Sequence, residues 1–136
     1  RGVVTTMVTE GDSPDHRSLV RVRMACADGQ SLVVAGTVFG IRDSEKLVEV
    51  DTLDLDLPIS EHMLVFRYED KPGVVGVVGQ VLGDAGINIA NMQVGRDAAG
   101  GLALIALTVD SAVDQPTVDA IAARIAAESG AAIDLV

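Results

Sequence analysis

Apolar and polar positions fall into two regimes that meet near residue 58. Before it, apolar residues recur at every second position. Val20, Val22, Met24 and Cys26 alternate with Arg21 and Arg23, the period of a half-buried strand. "VVTTMVT" ahead of them is rich in β-branched residues, and "SLVVAGTVFG" reads as the hairpin partner across an Asp28-Gly29 turn. "KLVEV" and "LDLDL" flank a second predicted turn at Asp51-Thr52, with Leu53, Leu55 and Leu57 on one face and Asp54 and Asp56 on the other. Residues 1–57 are thus predicted as four or five mainly antiparallel strands with almost no helix. One face of that sheet is apolar, and nothing in the segment obviously covers it.

Pro58 interrupts the alternation, and "PISE" at 58–61 is the predicted linker. Beyond it, periods of 2 and 3.6 take turns. "HMLVFRY" predicts a strand over 62–68 and the next segment a helix over 72–85. Strands follow over 87–95 and 102–109, separated by the turn "DAAGG". An alanine-rich helix is expected over 114–129, opened by Asp114 and Pro116, before "AAIDLV" closes as a strand. The order β-α-β-β-α-β is the ferredoxin-like split motif. It predicts an α+β domain over 62–136, a four-stranded antiparallel sheet with two helices on one face.

Composition narrows what such a pair of domains can do. With 49% apolar residues but only 2% aromatics, the core must be built from Val, Leu, Ile and Ala. A formal charge of −10 argues against nucleic acid or an anionic membrane as partner. Cys26 is the single cysteine, so neither an internal disulfide nor a cysteine-ligated cluster is available, which fits a reducing, cytoplasmic setting. No apolar run approaches the ~20 residues of a membrane span. The chain opens at Arg1 within a strand-like pattern, which reads as a piece of a longer protein.

The stretch "YEDKPGVVGVVGQVLGDAGINIANM" carries glycines at 73, 76, 79, 83 and 86. Neither G-x-G-x-x-G nor G-x-x-x-x-G-K-[ST] occurs at that spacing, so a phosphate-cradling loop is not expected. On a helix, Val74, Val75, Val78, Val81, Leu82 and Ala85 form an apolar stripe, with Gly76, Gly79 and Gly83 opposite. Those three glycines read either as loosely packed surface or as a place of close approach. Gly86 sits where a left-handed residue ends a helix. Asp70, Lys71, Pro72 and Gly73 lead into the helix, with Pro72 predicted in the first turn. First-turn amides lack internal partners and suit a carboxylate; Asp70 suits an ammonium group, and Asn88 both donates and accepts. Together they match a free amino acid. On chemistry alone, Asp70 as a helix cap and Asn88 as a turn residue is the simpler reading.

Other candidates are weaker. His16 and Ser18 lie beside Asp15, but neighbouring residues point apart, whereas a triad must converge. His62 stands beside Glu61 with no metal-ligand spacing, and Cys26 falls on an apolar strand face. No catalytic residue and no metal ligand is expected in this chain.

"RYEDKPGVVGVVGQVLGDAGINIANMQVGR" resembles the ACT domain, a small amino-acid-sensing module with the same β-α-β-β-α-β order. "SPDHRS", "ADGQ" and "AGTVFG" resemble the intervening regulatory domain of long-form bacterial D-3-phosphoglycerate dehydrogenases, here without its first strand-and-helix portion. The resemblance implies an effector-binding regulatory end of an NAD-dependent oxidoreductase, with NAD held by an absent catalytic part. It implies homo-oligomers through edge-to-edge ACT pairing and feedback inhibition by L-serine. It places the effector at Tyr68, Asp70 and Asn88, with the amides of Pro72 to Val74 (Gly73 between them) nearby. Tyr68 and Asp70 would come from one chain and Asn88 from its neighbour. Some members have His and Asn where this chain has Tyr68 and Asp70. The acidic "LDLDL" puts in doubt an anion site that some members build in the intervening domain. Two alternatives stay open: the ACT-bearing half of an iron–sulfur L-serine dehydratase, and an assembly domain with a vestigial effector site.

Overall fold

The computed structural model describes residues 4–10, 19–25, 31–39 and 44–135. By its contacts the chain divides into two compact units, Arg1–Pro58 and Ile59–Val136.

In the first unit five strands form an antiparallel meander: β1 (Val4–Glu10), β2 (Leu19–Ala25), β3 (Ser31–Phe39), β4 (Ser44–Val50) and β5 (Leu53–Pro58). Alternation sets the faces, as in β5, where Leu53, Leu55 and Leu57 are buried while Asp54 and Asp56 are exposed. The opposite face carries charge pairs, Arg21 with Glu49 at 2.9 Å and Lys46 with Asp56 at 2.6 Å. At the β4–β5 turn the left-handed residue is Asp51 (φ 56). Its N–H donates to the Val33 carbonyl at 2.6 Å, and its carboxylate accepts from the Val33 N–H at 3.1 Å. Asp is among the few residues besides glycine that adopt this conformation readily, and the two bonds to Val33 of β3 hold it there. Asp28-Gly29, Cys26 and the "SPDHRS" segment lie outside the described residues.

The second unit runs β6 (His62–Glu69), α1 (Val74–Asp84), β7 (Ile89–Arg96), β8 (Leu102–Val109), α2 (Gln115–Ile125) and β9 (Ser129–Asp134). The sheet order is β7-β8-β6-β9, with every neighbouring pair antiparallel. Leu64, Phe66 and Tyr68 of β6 and Ile105 and Leu107 of β8 pack against Val74, Val78 and Leu82 of α1 and Val118, Ile121 and Ile125 of α2. This is the α+β ferredoxin-like arrangement expected from the periodicity, both helices on one face.

Several boundaries differ from the sequence expectation. Helix α1 starts at Val74, not 72, because Gly73 is the N-cap in a left-handed conformation (φ 89). Pro72 therefore precedes the helix and is not in its first turn. Val75 falls on the solvent side, whereas Val77 packs on the core. Among the described residues, nothing outside the helix's own backbone lies within 4 Å of where a Cβ would stand on Gly76, Gly79 or Gly83. The helix closes in a Schellman arrangement, Ile87 N–H to Leu82 O at 2.9 Å and Gly86 N–H to Gly83 O at 3.0 Å. That pulls Ile87 out of β7, which starts two residues later than expected. Helix α2 ends at Ile125, not at 129. Ala126 turns left-handed (φ 54) and Ala127 N–H bonds back to Ala122 O at 2.8 Å. The early stop frees Ser129 and Gly130 to pair with Arg67 and Phe66 of β6.

Candidate effector site

Strand β6 delivers two of the candidate residues to one end of the sheet. Tyr68 points toward the helices, only 1% exposed. Asp70, just past the strand, is anchored through its backbone, its N–H donating to the Gly101 carbonyl at 2.8 Å. Its side chain does not cap α1, which has no side-chain cap and no acidic residue in its first turn. The carboxylate instead accepts from Arg96 Nη1 at 3.1 Å and from the Gly100 N–H at 3.3 Å, and is 17% exposed. So the cap reading of Asp70 is set aside. The Gly73–Val74 backbone opens α1 a few residues on, and its first amides keep their partial positive charge without a side-chain acceptor.

Burial, and next the nearby Asp70 charge, push the Tyr68 phenol above its ordinary 10.0, against an opposing pull from Arg96. The phenol is a neutral donor and acceptor throughout the physiological range.

Sequence reasoning missed Arg96. The register brings it in: Tyr68 pairs with Ala103 of β8, and Ala103 pairs with Arg96 of β7, so the three lie in one row across the sheet. Arg96 directly precedes the "DAAGG" turn, and in the split motif the strand ahead of that turn ends beside the first strand's end. That topological step was the available signal.

Asn88 is not brought to this cluster. It precedes β7 at the far end of the sheet, where its Nδ2 donates to Asp110 Oδ2 at 2.8 Å and its carbonyl accepts the Asp110 N–H at 3.1 Å. From Asn88 to Arg96 the chain is almost fully extended, and at ~3.3 Å per residue this is roughly 25 Å. Tyr68, Asp70, Gly73 and Val74 gather at one end, with Pro72 in the connection; Asn88 stands at the other.

The remaining candidates are quickly placed. His62 Nδ1 lies 2.7 Å from Asp134 Oδ1, tying the start of β6 to the end of β9. Asp15, His16, Ser18 and Cys26 fall outside the described residues. Among the described residues no group of three His, Cys, Asp or Glu side chains could hold a metal ion. There too, the glycine-rich stretch is a helix with its caps and serves no parallel sheet, so it does not fit a nicotinamide dinucleotide. No helix among them is long and apolar enough to cross a membrane.

The family model of the ACT domain matches residues 62–126. The D-3-phosphoglycerate dehydrogenase of Mycobacterium tuberculosis is 38% identical over 135 residues, 99% of this chain and 26% of that protein. The D-3-phosphoglycerate dehydrogenase of Archaeoglobus fulgidus is 36% identical over 84% of this chain and 21% of its own length. That of Bacillus subtilis is 42% identical over 48% of this chain and 13% of its length. The chain thus spans about a quarter of the length of the first of these relatives. Residues 62–126 form an ACT domain, and along nearly its whole length the chain is similar to a part of the D-3-phosphoglycerate dehydrogenases.

Proposed function

We propose that the chain is the C-terminal regulatory end of a D-3-phosphoglycerate dehydrogenase and that its ACT domain binds L-serine as a feedback inhibitor. In this reading residues 1–57 are part of the intervening domain, 58–61 a linker and 62–136 the ACT domain. The NAD-dependent chemistry belongs to a catalytic part outside this chain, in the cytoplasm. The observation that carries the proposal is the grouping of Asp70, Tyr68 and the uncapped start of α1 at one end of an ACT sheet. Asp70 would take the ammonium group, the α1 amides the carboxylate, and Tyr68 would line the side-chain end.

Asn88, some 25 Å away in its own chain, joins this set only from a second copy. Strand β7 is an edge of the sheet, with its outer backbone groups available for pairing. A two-fold, antiparallel pairing of β7 with itself, centred near Met92, sets Asn88 of one chain beside Arg96 of the other, because the register then sums to a constant. L-serine would bridge two ACT domains and favour one relative orientation, which the intervening domain passes on. Inhibition requires L-serine to prefer that state, since equal affinity for both would shift nothing.

Asp70→Ala tests this reading. Calorimetric binding of L-serine should vanish while the oligomeric state on sizing is unchanged; retained binding would remove Asp70 from the site and the reading with it. One observation favours a second reading, an assembly domain with a vestigial effector site: Asp70 already has a partner in Arg96. The relatives' names favour the dehydrogenase over the serine dehydratase.

A further inference from the structure

Both groups that hold Asp70 converge on one oxygen. Arg96 Nη1 and the Gly100 N–H meet Oδ2, and among the described residues no donor reaches Oδ1. A carboxylate accepts about four hydrogen bonds, so Oδ1 keeps its full capacity in a side chain that is otherwise largely covered. Arg96 has the complementary surplus. Its guanidinium carries five N–H donors, one of them engaged with Asp70, and the side chain is 59% exposed. An unengaged anionic acceptor therefore adjoins unengaged cationic donors, and the pair carries no net charge.

We propose that Arg96 is a specificity-determining residue of the effector site: it fixes Asp70 through Oδ2 and restricts ligands to those carrying an ammonium and a carboxylate together. The inference rests on the reading above, in which Asp70 takes the effector's ammonium group. A ligand with only an ammonium group would face the guanidinium as an uncompensated like charge. A ligand with only a carboxylate would face Asp70 in the same way. A zwitterion answers both, and the planar fork of arginine suits a carboxylate better than a point charge does.

The test is calorimetric titration of the 136-residue chain with L-serine, ethanolamine and L-lactate, for the unmodified chain, Arg96→Gln and Arg96→Lys, with thermal melts to establish folding. The unmodified chain should bind L-serine and neither of the others measurably. In R96Q, L-serine should weaken by about tenfold or more, the loss of a charge-assisted contact. Ethanolamine should gain, so the ratio of the two affinities moves further than either alone, while R96K falls between. A folded R96Q with the unmodified ratio would overturn the role of Arg96 and leave the L-serine reading standing. So would ethanolamine binding as tightly as L-serine to the unmodified chain, a comparison that needs no variant to fold. Failure of the unmodified chain to bind any amino acid would overturn both.

Discussion

Tyr68 is the chain's single tyrosine and there is no tryptophan, so its phenol reports on the site without background. Its folded-state pKa lies above 10.0 through burial and then the Asp70 charge. The neutral phenol is therefore favoured in the folded state. That contribution to stability is complete below pH 10 and is lost as pH rises through the folded value. Absorbance titration at alkaline pH should show a midpoint above 10, brought down in Asp70→Asn and pushed further up in Arg96→Gln. A midpoint indifferent to both changes would separate Tyr68 from the Asp70–Arg96 pair. A second residue-scale expectation concerns Ala126, left-handed without glycine's freedom. Ala126→Gly should raise stability in urea by about 1 kcal/mol, since an L side chain is strained there. Gly86, in the same role after α1, was readable from sequence because glycine is the residue expected there. Ala126 was not, since nothing in an alanine run marks the one that turns.

At the scale of elements, the alternation and the two helical stripes were enough to predict α1, α2 and the strand order of the second unit. The boundaries were not, and each miss has a local cause. Gly73 was counted as a helical residue, whereas its positive φ turns the chain into the helix. Helix α2 runs out at Ile125 because Gly130 must lie flat against Phe66: a Cβ there would come within 2.5 Å of the Phe66 ring. That is a tertiary demand no helical propensity records. Gly130→Val should accordingly cost about 1–3 kcal/mol by overpacking, and an unchanged melting temperature would show that β9 can slide away from the ring. The start of α2 was legible. Asp114 is its N-cap, with its carboxyl held low by the Thr117 side chain and then the Thr117 backbone N–H. A depressed folded-state value stabilises above the ordinary 3.8, and the contribution fades as pH falls through the lower folded value. Acid-unfolding curves of the unmodified chain and Asp114→Ala should converge at low pH and separate above it.

At the scale of the whole molecule, Asp70 and Asn88 were named from their chemistry and Tyr68 from resemblance. Their placement explains why one chain's sequence could not say how they meet. Opposite ends of a strand do not converge in a monomer, and the row that links Tyr68 to Arg96 crosses three strands. Sharing the site between two copies follows if β7 pairs with itself, and Val94, 40% exposed on that edge, should then be sensitive. Val94→Lys is expected to shift the chain toward monomer on sizing, since edge lysines oppose strand pairing. The central claim is that Asp70 of one chain and Asn88 of another form one L-serine site, and mixing variants tests it most directly. Asp70→Ala and Asn88→Ala chains, each folded and each unable to bind L-serine alone, are unfolded together, refolded as a mixture and titrated. Recovered binding, from the mixed dimers in which one site keeps both residues, is the expected result. A mixture as silent as either parent, or an Asn88→Ala chain that binds L-serine fully by itself, would contradict it.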